Sequence, residues 1–136
     1  MLGLFKTKKK TERARILVVD DEPDLVDIIR RRLEYSDWNV TTASNGKLGL
    51  ESALNEKPDL IVLDIDMPIM NGHEMLKQLR EHPELRDVPV IMCTMSDKVN
   101  DITMASSFNI CDYITKPFDF ADMTEKITAA LKSHGN

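Results

Sequence analysis

Short apolar segments and amphipathic helical segments alternate five times along the 136-residue chain, and this alternation constrains the fold more than any other feature. The apolar segments, typical of strands, span residues 15–20, 39–44, 59–64, 88–95 and 110–115. Apolar residues at helical spacing predict helices over 24–35, 45–54, 73–81, 97–108 and 120–131. Short connections in such an alternation require a parallel sheet with helices on both faces. We therefore predict an α/β, doubly wound fold with five parallel strands and five helices.

The length suits one domain, and composition divides the chain into three parts. We expect a basic leader over 1–14, one folded domain over 15–133 and a short tail over 134–136. A chain of this size is expected to be a single-domain protein. No apolar stretch approaches the ~20 residues of a membrane span. The lysines of the leader follow its apolar residues, an order that does not fit a signal peptide, so we expect a cytoplasmic protein.

Charge is divided unevenly along the chain. Residues 1–15 carry a net charge of +5, whereas residues 16–136 carry −10. An acidic domain does not suit nucleic-acid binding, so we expect no nucleic-acid partner. Residues 1–10 combine four apolar residues with four lysines. We interpret them as a flexible, solubilising segment; the alternative is a weak peripheral contact with a partner or with anionic lipid.

Polar residues collect where four of the predicted strands end. They are Asp20, Asp21, Asp64, Asp66, Thr94 and Lys116. Because parallel strands bring their carboxyl ends to one edge, where ligands bind in such folds, these side chains are expected to lie together. Crowded carboxylates repel one another unless a cation such as Mg²⁺ neutralises them. A carboxylate is also a competent nucleophile toward phosphorus, so the pattern predicts a phosphoryl-acceptor site.

Each of these residues has an ordinary structural explanation when it is taken alone. An aspartate such as Asp21 after a strand commonly caps the next helix. Thr94 alone would be a strand residue, and Lys116 alone a solvated lysine in a loop. Their joint placement at the ends of four strands favours a functional site.

Three segments resemble the receiver domain of two-component response regulators. They are ILVVDDEP over 16–23, PDLIVLDIDMPIMNG over 58–72 and DYITKPF over 112–118. The resemblance extends over about 15–132, and the three segments together are highly specific. It implies the flavodoxin-like receiver fold with strand order 2-1-3-4-5 and a single-domain regulator similar to those of chemotaxis.

The resemblance implies a role for each acidic residue at the strand ends. Asp64 matches the aspartate that accepts a phosphoryl group from a histidine kinase or a histidine phosphotransfer protein. Asp20 and Asp21 match the acidic pair that binds Mg²⁺ together with Asp64, and the backbone carbonyl of Asp66 matches a further ligand. The partner that carries the histidine is expected to dock beside this site, through the first helix and the Pro117–Phe118 loop.

Thr94, Lys116 and Tyr113 match the residues that respond to phosphorylation. Lys116 matches the lysine that pairs with the phosphorylated aspartate, Thr94 the residue that moves toward the phosphoryl group, and Tyr113 the switch that rotates into the space left behind. The resemblance also implies a cis Lys116–Pro117 bond that aims the lysine into the site, and Gly72 matches the glycine that closes the loop beside it. The switch is expected to alter the face formed by the predicted helix over 97–108, the fifth strand and the last helix. Its output is protein–protein signalling, with dimerisation on phosphorylation as one form.

Several positions depart from the commonest pattern of the family. Met95 follows Thr94 where a small residue is usual, and Asp66 lies two residues after Asp64. We hypothesise that Asp66 and Met95 set the rates of phosphorylation and dephosphorylation. Asn109 stands where glycine is common, and asparagine is the next best residue for a left-handed backbone.

Three classes of function remain open. The first is a signalling switch that catalyses its own phosphorylation and dephosphorylation without being an enzyme for other substrates. The second is a degenerate receiver that acts only as a protein interaction module. The third is a haloacid-dehalogenase-like phosphatase, because Asp64-Ile-Asp66 resembles the Asp-x-Asp motif of those enzymes. That motif should follow the first strand, whereas here it follows the third.

Overall fold

The computed structural model of the protein describes residues 12–95 and 108–135. Five strands are described: β1 (Arg15–Val19), β2 (Asn39–Ala43), β3 (Leu60–Asp64), β4 (Val90–Thr94) and β5 (Asp112–Thr115). The described helices are α1 (Pro23–Tyr35), α2 (Gly46–Asn55), α3 (Gly72–Glu81) and α4 (Phe120–Gly135). Except for Phe108, which is helical, the predicted helix over 97–108 lies outside the described residues, as do residues 1–11 of the leader. No helix in the described ranges is long and apolar enough to cross a membrane.

The five strands form one parallel sheet in the order β2-β1-β3-β4-β5, which confirms the predicted doubly wound α/β fold. From β1 the chain proceeds to one edge of the sheet at β2 and then crosses to the other side at β3. The strand order therefore reverses between β1 and β3, and a crevice opens beyond their carboxyl ends. Asp20 and Asp64 stand at that crevice because each terminates one of these two strands.

The central strands β1, β3 and β4 are buried on both faces, which explains their nearly continuous apolar sequences. Alternate side chains point to opposite faces, so each strand contributes to two separate clusters. Leu17, Val19 and Leu63 pack toward α2 and α3. Ile16 and Val18 pack with the apolar residues of α1 and α4 on the other side. β2 is only partly buried, as expected for an edge strand.

Polar side chains at the starts of two helices satisfy backbone N–H groups that have no partner within the helix. Asn45 Oδ1 accepts from Leu48 N at 2.9 Å at the start of α2. Asn71 and Glu74 form a reciprocal capping box at the start of α3. These caps fix the first turns of the two helices that follow β2 and β3.

Close backbone contacts at Gly72 and Gly46 hold the loop between β3 and α3 in place. Gly72 N donates to Ile65 O at 2.8 Å, and a Cβ atom on Gly72 would lie 2.3 Å from Asp64 O. Gly46 N donates to Met70 O at 2.9 Å, where a Cβ atom would also collide. Side chains at these two positions would push the loop away from the end of β3. The structure thus gives a physical reason for glycine at position 72.

Two backbone features match what the resemblance implied. The Lys116–Pro117 peptide bond is cis. Asn109 has a φ of 57°, in the left-handed region that asparagine tolerates better than most residues. Two further residues lie in this region, Asp37 with a φ of 69° and Ile69 with a φ of 70°, and neither was foreseen.

Candidate functional site

Three carboxylates meet at the crevice between β1 and β3. Asp20 follows β1 directly and Asp64 is the last residue of β3, and both are almost completely buried, at 3% and 5% exposure. Asp21 follows Asp20 and is exposed. One carboxylate oxygen from each of the three lies within 4.8 Å of the others. The predicted convergence of these acids at one edge of the sheet is therefore present in the fold.

Lys116 is the positive charge of this cluster. Its Nζ donates to Asp20 Oδ2 at 2.8 Å and lies 3.4 Å from Asp64 Oδ1. β5 brings the lysine here, because the Lys116 backbone N–H donates to the Thr94 carbonyl at 2.7 Å and so continues the pairing of β4 with β5. The lysine side chain is only 10% exposed, so its charge acts on the carboxylates with little screening by water.

Glu22 also belongs to this cluster, although the sequence analysis gave it no role. Its Oε1 lies 3.6 Å from Lys116 Nζ, and its backbone N–H donates to Asp20 Oδ1 at 3.0 Å. The available signal was its place as the third acid of the string Asp20-Asp21-Glu22. Its side chain is largely exposed, so its carboxylate lies on the solvent side of the Lys116 ammonium.

The electrostatics of the site disfavour a full set of charged carboxylates. Burial, followed by repulsion from Asp20, raises the pKa of Asp64 from 3.8 to about 6, although Lys116 opposes the shift. Burial alone would lower the pKa of Lys116, but the hydrogen bond and charge of Asp20 outweigh it and raise that pKa above its ordinary value. One ammonium thus faces several carboxylates, and the cluster retains excess negative charge.

The donor set fits a hard divalent cation. All three converging groups are carboxylate oxygens, which Mg²⁺ prefers, and exposed Asp21 leaves one side open to the waters that Mg²⁺ usually keeps. Asp66 lies in the loop after β3 with its side chain exposed. The role of its backbone carbonyl remains a prediction.

The predicted switch residues lie on β4 and β5. Thr94 is the last residue of β4, is 3% exposed and pairs in register with Thr115 of β5. Tyr113 is partly buried and packs against the cluster on the α2 and α3 side of the sheet. Met95 follows Thr94 and is 78% exposed, so its side chain stands at the surface beside the end of β4. The functional roles of these three residues stay predictions.

A comparison with known protein families matches residues 16–128 to a model described as "Response regulator receiver domain". The curated relatives include TcrX of Mycobacterium tuberculosis, a probable transcriptional regulatory protein that is 38% identical over 88% of this chain and 50% of its own length. PhoP of Bacillus subtilis, an alkaline phosphatase synthesis transcriptional regulatory protein, is 40% identical over 87% of this chain and 48% of its own length. The chain thus spans about half the length of these relatives.

Solved structures with similar folds include two receiver domains. That of the Francisella response regulator 1452 has a TM-score of 0.82 at 29% identity, covering 89% of this chain and 98% of that one. A CheY-like receiver domain protein of Methanospirillum hungatei has a TM-score of 0.84 at 28% identity, covering 90% of this chain and 97% of that one.

Proposed function

Because the chain belongs to the response regulator receiver domain family of two-component systems, we propose that Asp64 accepts a phosphoryl group from the phosphohistidine of a kinase or phosphotransfer protein. One observation carries the proposal: Lys116 Nζ lies 2.8 Å from Asp20 Oδ2 and 3.4 Å from Asp64 Oδ1. A nearly buried ammonium at this distance can neutralise charge on phosphoryl oxygens bound to Asp64. We propose one receiver domain over 15–133, and the family match over 16–128 supports it.

In the transfer step, a carboxylate oxygen of Asp64 attacks the phosphorus atom of the donor. The bond between phosphorus and the donor's imidazole nitrogen breaks, and that nitrogen keeps the electron pair and takes up a proton from solvent. Lys116 forms an ion pair with the new aspartyl phosphate, and the Thr94 hydroxyl donates a hydrogen bond to it. Attack of water on phosphorus later releases inorganic phosphate and returns Asp64 as a carboxylate.

Asp20, Asp21 and Asp64 would hold Mg²⁺, with the backbone carbonyl of Asp66 as a further oxygen donor. When bound, the ion supplies positive charge to the phosphoryl oxygens. The convergence of the three carboxylates within 4.8 Å supports this assignment.

Incubation with Mg²⁺ and acetyl phosphate, followed by intact mass measurement, tests the proposal. We expect the wild-type chain to gain about 80 Da, the mass of one phosphoryl group. Asp64→Asn should gain nothing, whereas the control Asp24→Asn, in the first turn of α1, should still gain the adduct. A wild-type chain that gains no mass under these conditions would contradict the proposal and favour an interaction module. The haloacid-dehalogenase alternative is not retained, because the chain belongs to the receiver family.

We further propose that Asp66 and Met95 set the lifetime of the phosphorylated form. Both side chains are exposed in the loops that follow β3 and β4, where water and the donor approach. The rates of adduct formation and loss in Asp66→Asn and Met95→Ala, followed by intact mass, test this assignment. Unchanged rates in both variants would overturn it.

The proposed output is a change in protein contacts. When Thr94 moves toward the phosphoryl group, Tyr113 occupies the vacated space, and the face that includes β5 and α4 changes its shape. The kinase or phosphotransfer partner docks through α1 and the Pro117–Phe118 loop, and dimerisation through the switch face is one form of output.

Control of transcription is a second candidate output. It is favoured by the two relatives named as transcriptional regulatory proteins, of which this chain spans about half. In that case nucleic acid would be contacted by a region outside this acidic domain. A gel-shift experiment with the phosphorylated chain and with a longer protein that contains it would separate the two outputs.

A further inference from the structure

Arg80, near the end of α3, makes an unusual set of contacts far from the acidic cluster. Its Nη1 lies 2.8 Å from Val88 O, 2.9 Å from Arg86 O and 3.3 Å from Leu85 O. Its Nε donates to Phe108 O at 2.8 Å, and Nη2 lies 3.4 Å from Asn109 O. One guanidinium thus joins α3 to the segment before β4 and to the segment before β5.

Burying the charge of Arg80 costs free energy that packing contacts alone would not recover. Within 12–95 and 108–135, no carboxylate lies within ion-pair distance of the Arg80 guanidinium. Burial lowers the pKa of Arg80, which reports the cost of removing its charge from water. Backbone carbonyls replace the lost water: five lie within 3.4 Å of the three guanidinium nitrogens, three of them sharing the two donors of Nη1, a spread that the single ammonium of lysine cannot match.

The contacts matter because β5 is a short edge strand, held on its own residues by β4 and by Lys126, whose Nζ donates to Tyr113 O at 2.8 Å. It has four residues and pairs with β4 alone among the described strands. At its carboxyl end it carries Lys116, whose Nζ lies between Asp20 and Asp64. At its amino end it is held by Arg80 and by the Cys111 N–H, which donates to Val90 O at 3.0 Å. The alignment of β5 on β4 therefore determines where the lysine stands.

We propose that Arg80 is a positioning residue for phosphoryl transfer: its guanidinium fastens the amino ends of β4 and β5 to α3 and so fixes Lys116 and Tyr113 relative to Asp64. The inference rests on the proposed function of Asp64 as phosphoacceptor. Phe108 is helical and Asn109, which follows it, has a left-handed backbone, so Arg80 contacts the carbonyls of two successive residues at this turn.

The test compares Arg80→Gln and Arg80→Lys with the same two changes at Arg86, an exposed arginine in the segment between α3 and β4. Each full chain is incubated with Mg²⁺ and acetyl phosphate, and phosphorylation is followed by intact mass at a temperature where circular dichroism shows every variant folded. We expect Arg80→Gln to be phosphorylated about tenfold more slowly, because small misplacements of catalytic groups are costly. The lysine variant should not restore the rate, and the Arg86 variants should keep it.

Hydrogen exchange on the same proteins supplies a readout that a general loss of stability would not produce. We expect faster exchange over 110–116 in both Arg80 variants, with β1 and β3 unchanged. Wild-type rates in a folded Arg80→Gln would overturn the positioning role even if exchange increased. If the wild type itself gains no phosphoryl group, the proposed function fails. Hydrogen exchange then still tests whether Arg80 holds β5 in place, because unchanged protection over 110–116 in Arg80→Gln would overturn that claim. If Arg80→Gln does not fold, the lysine variant is read by the same criteria.

Discussion

The chemistry of Asp64 depends on the fold. In an unfolded chain it is an ordinary aspartate, but at the end of β3 it is 5% exposed and shares its surroundings with Asp20 and Lys116. Because the pKa of Asp64 rises to about 6, the folded protein binds its proton more tightly than the unfolded chain does. The charged carboxylate therefore lowers the stability of the folded state, increasingly as pH rises from about 4 to about 6.

The first prediction concerns the removal of this charge. In the absence of Mg²⁺, Asp64→Asn should raise the free energy of unfolding by roughly 3 kcal/mol at pH 7, since a penalty of about two pKa units, each worth about 1.4 kcal/mol, disappears. At about pH 4 the gain should be close to zero. Urea unfolding at both pH values with EDTA present measures the difference. Asp66→Asn, which removes an exposed carboxylate nearby, is the control, and equal gains for Asp64→Asn at both pH values would contradict the prediction.

A second prediction at this scale concerns Ile69. Its φ of 70° is unfavourable for a β-branched residue, and its side chain is 77% exposed, so little burial compensates for the strain. Met70 N donates to Pro68 O at 2.7 Å, which closes a tight turn around this residue. Ile69→Gly should stabilise the protein by roughly 0.5–1 kcal/mol, because relief of strain exceeds the entropy cost of glycine. Thermal unfolding measures it; Ile69→Val keeps the strain and should give no gain.

At the scale of elements, most helices and strands begin and end within two residues of the predicted bounds. β4 begins at Val90 rather than residue 88, since Pro89 has no N–H for the ladder. α4 continues to Gly135, beyond the apolar pattern that ends at residue 131, because its last turns face solvent and need no apolar residues. Periodicity detects only the buried part of an element.

The loop between β3 and α3 gives the third prediction. A methyl group on Gly72 would meet the backbone oxygen of Asp64 at 2.3 Å, and that backbone cannot move aside without displacing Asp64, the proposed phosphoacceptor. Gly72→Ala should therefore cost about 3 kcal/mol of stability and reduce phosphorylation. Gly49→Ala is the matched control, because its added methyl meets side-chain atoms, Met75 Cε and Val19 Cγ2 at 2.9 Å, where Gly72 meets backbone. Urea unfolding of both variants should show the larger loss for Gly72→Ala; equal losses would contradict the argument.

At the scale of the whole molecule, an acidic domain concentrates charge at one edge of its sheet. Residues 16–136 carry a net charge of −10, and the carboxylates of Asp20, Asp21 and Asp64 contribute three of these charges within a small space. A cation that binds only the folded state must stabilise it by mass action.

The fourth prediction is therefore a dependence of stability on Mg²⁺. At a concentration about 100 times its dissociation constant, Mg²⁺ should raise the free energy of unfolding by about 2.7 kcal/mol. Asp21→Asn should weaken this dependence, whereas Asp24→Asn in the first turn of α1 should leave it intact. Thermal unfolding across a Mg²⁺ titration measures both. A dependence that is identical in all three proteins would show that the ion binds elsewhere.

The sequence by itself determined the alternation of elements and the parallel sheet, because these follow from local hydrophobic periodicity and the geometry of parallel strands. For the same reason it determined the strands at whose ends Asp20, Asp64 and Lys116 stand. Only the tertiary structure decided which groups touch. Glu22 approaches Lys116 across 94 residues of chain, and Arg80 reaches carbonyls up to 29 residues away. Such contacts leave no periodic pattern, because each depends on how separate segments pack. The pKa of Asp64 likewise arises from burial and from charges that the fold brings together.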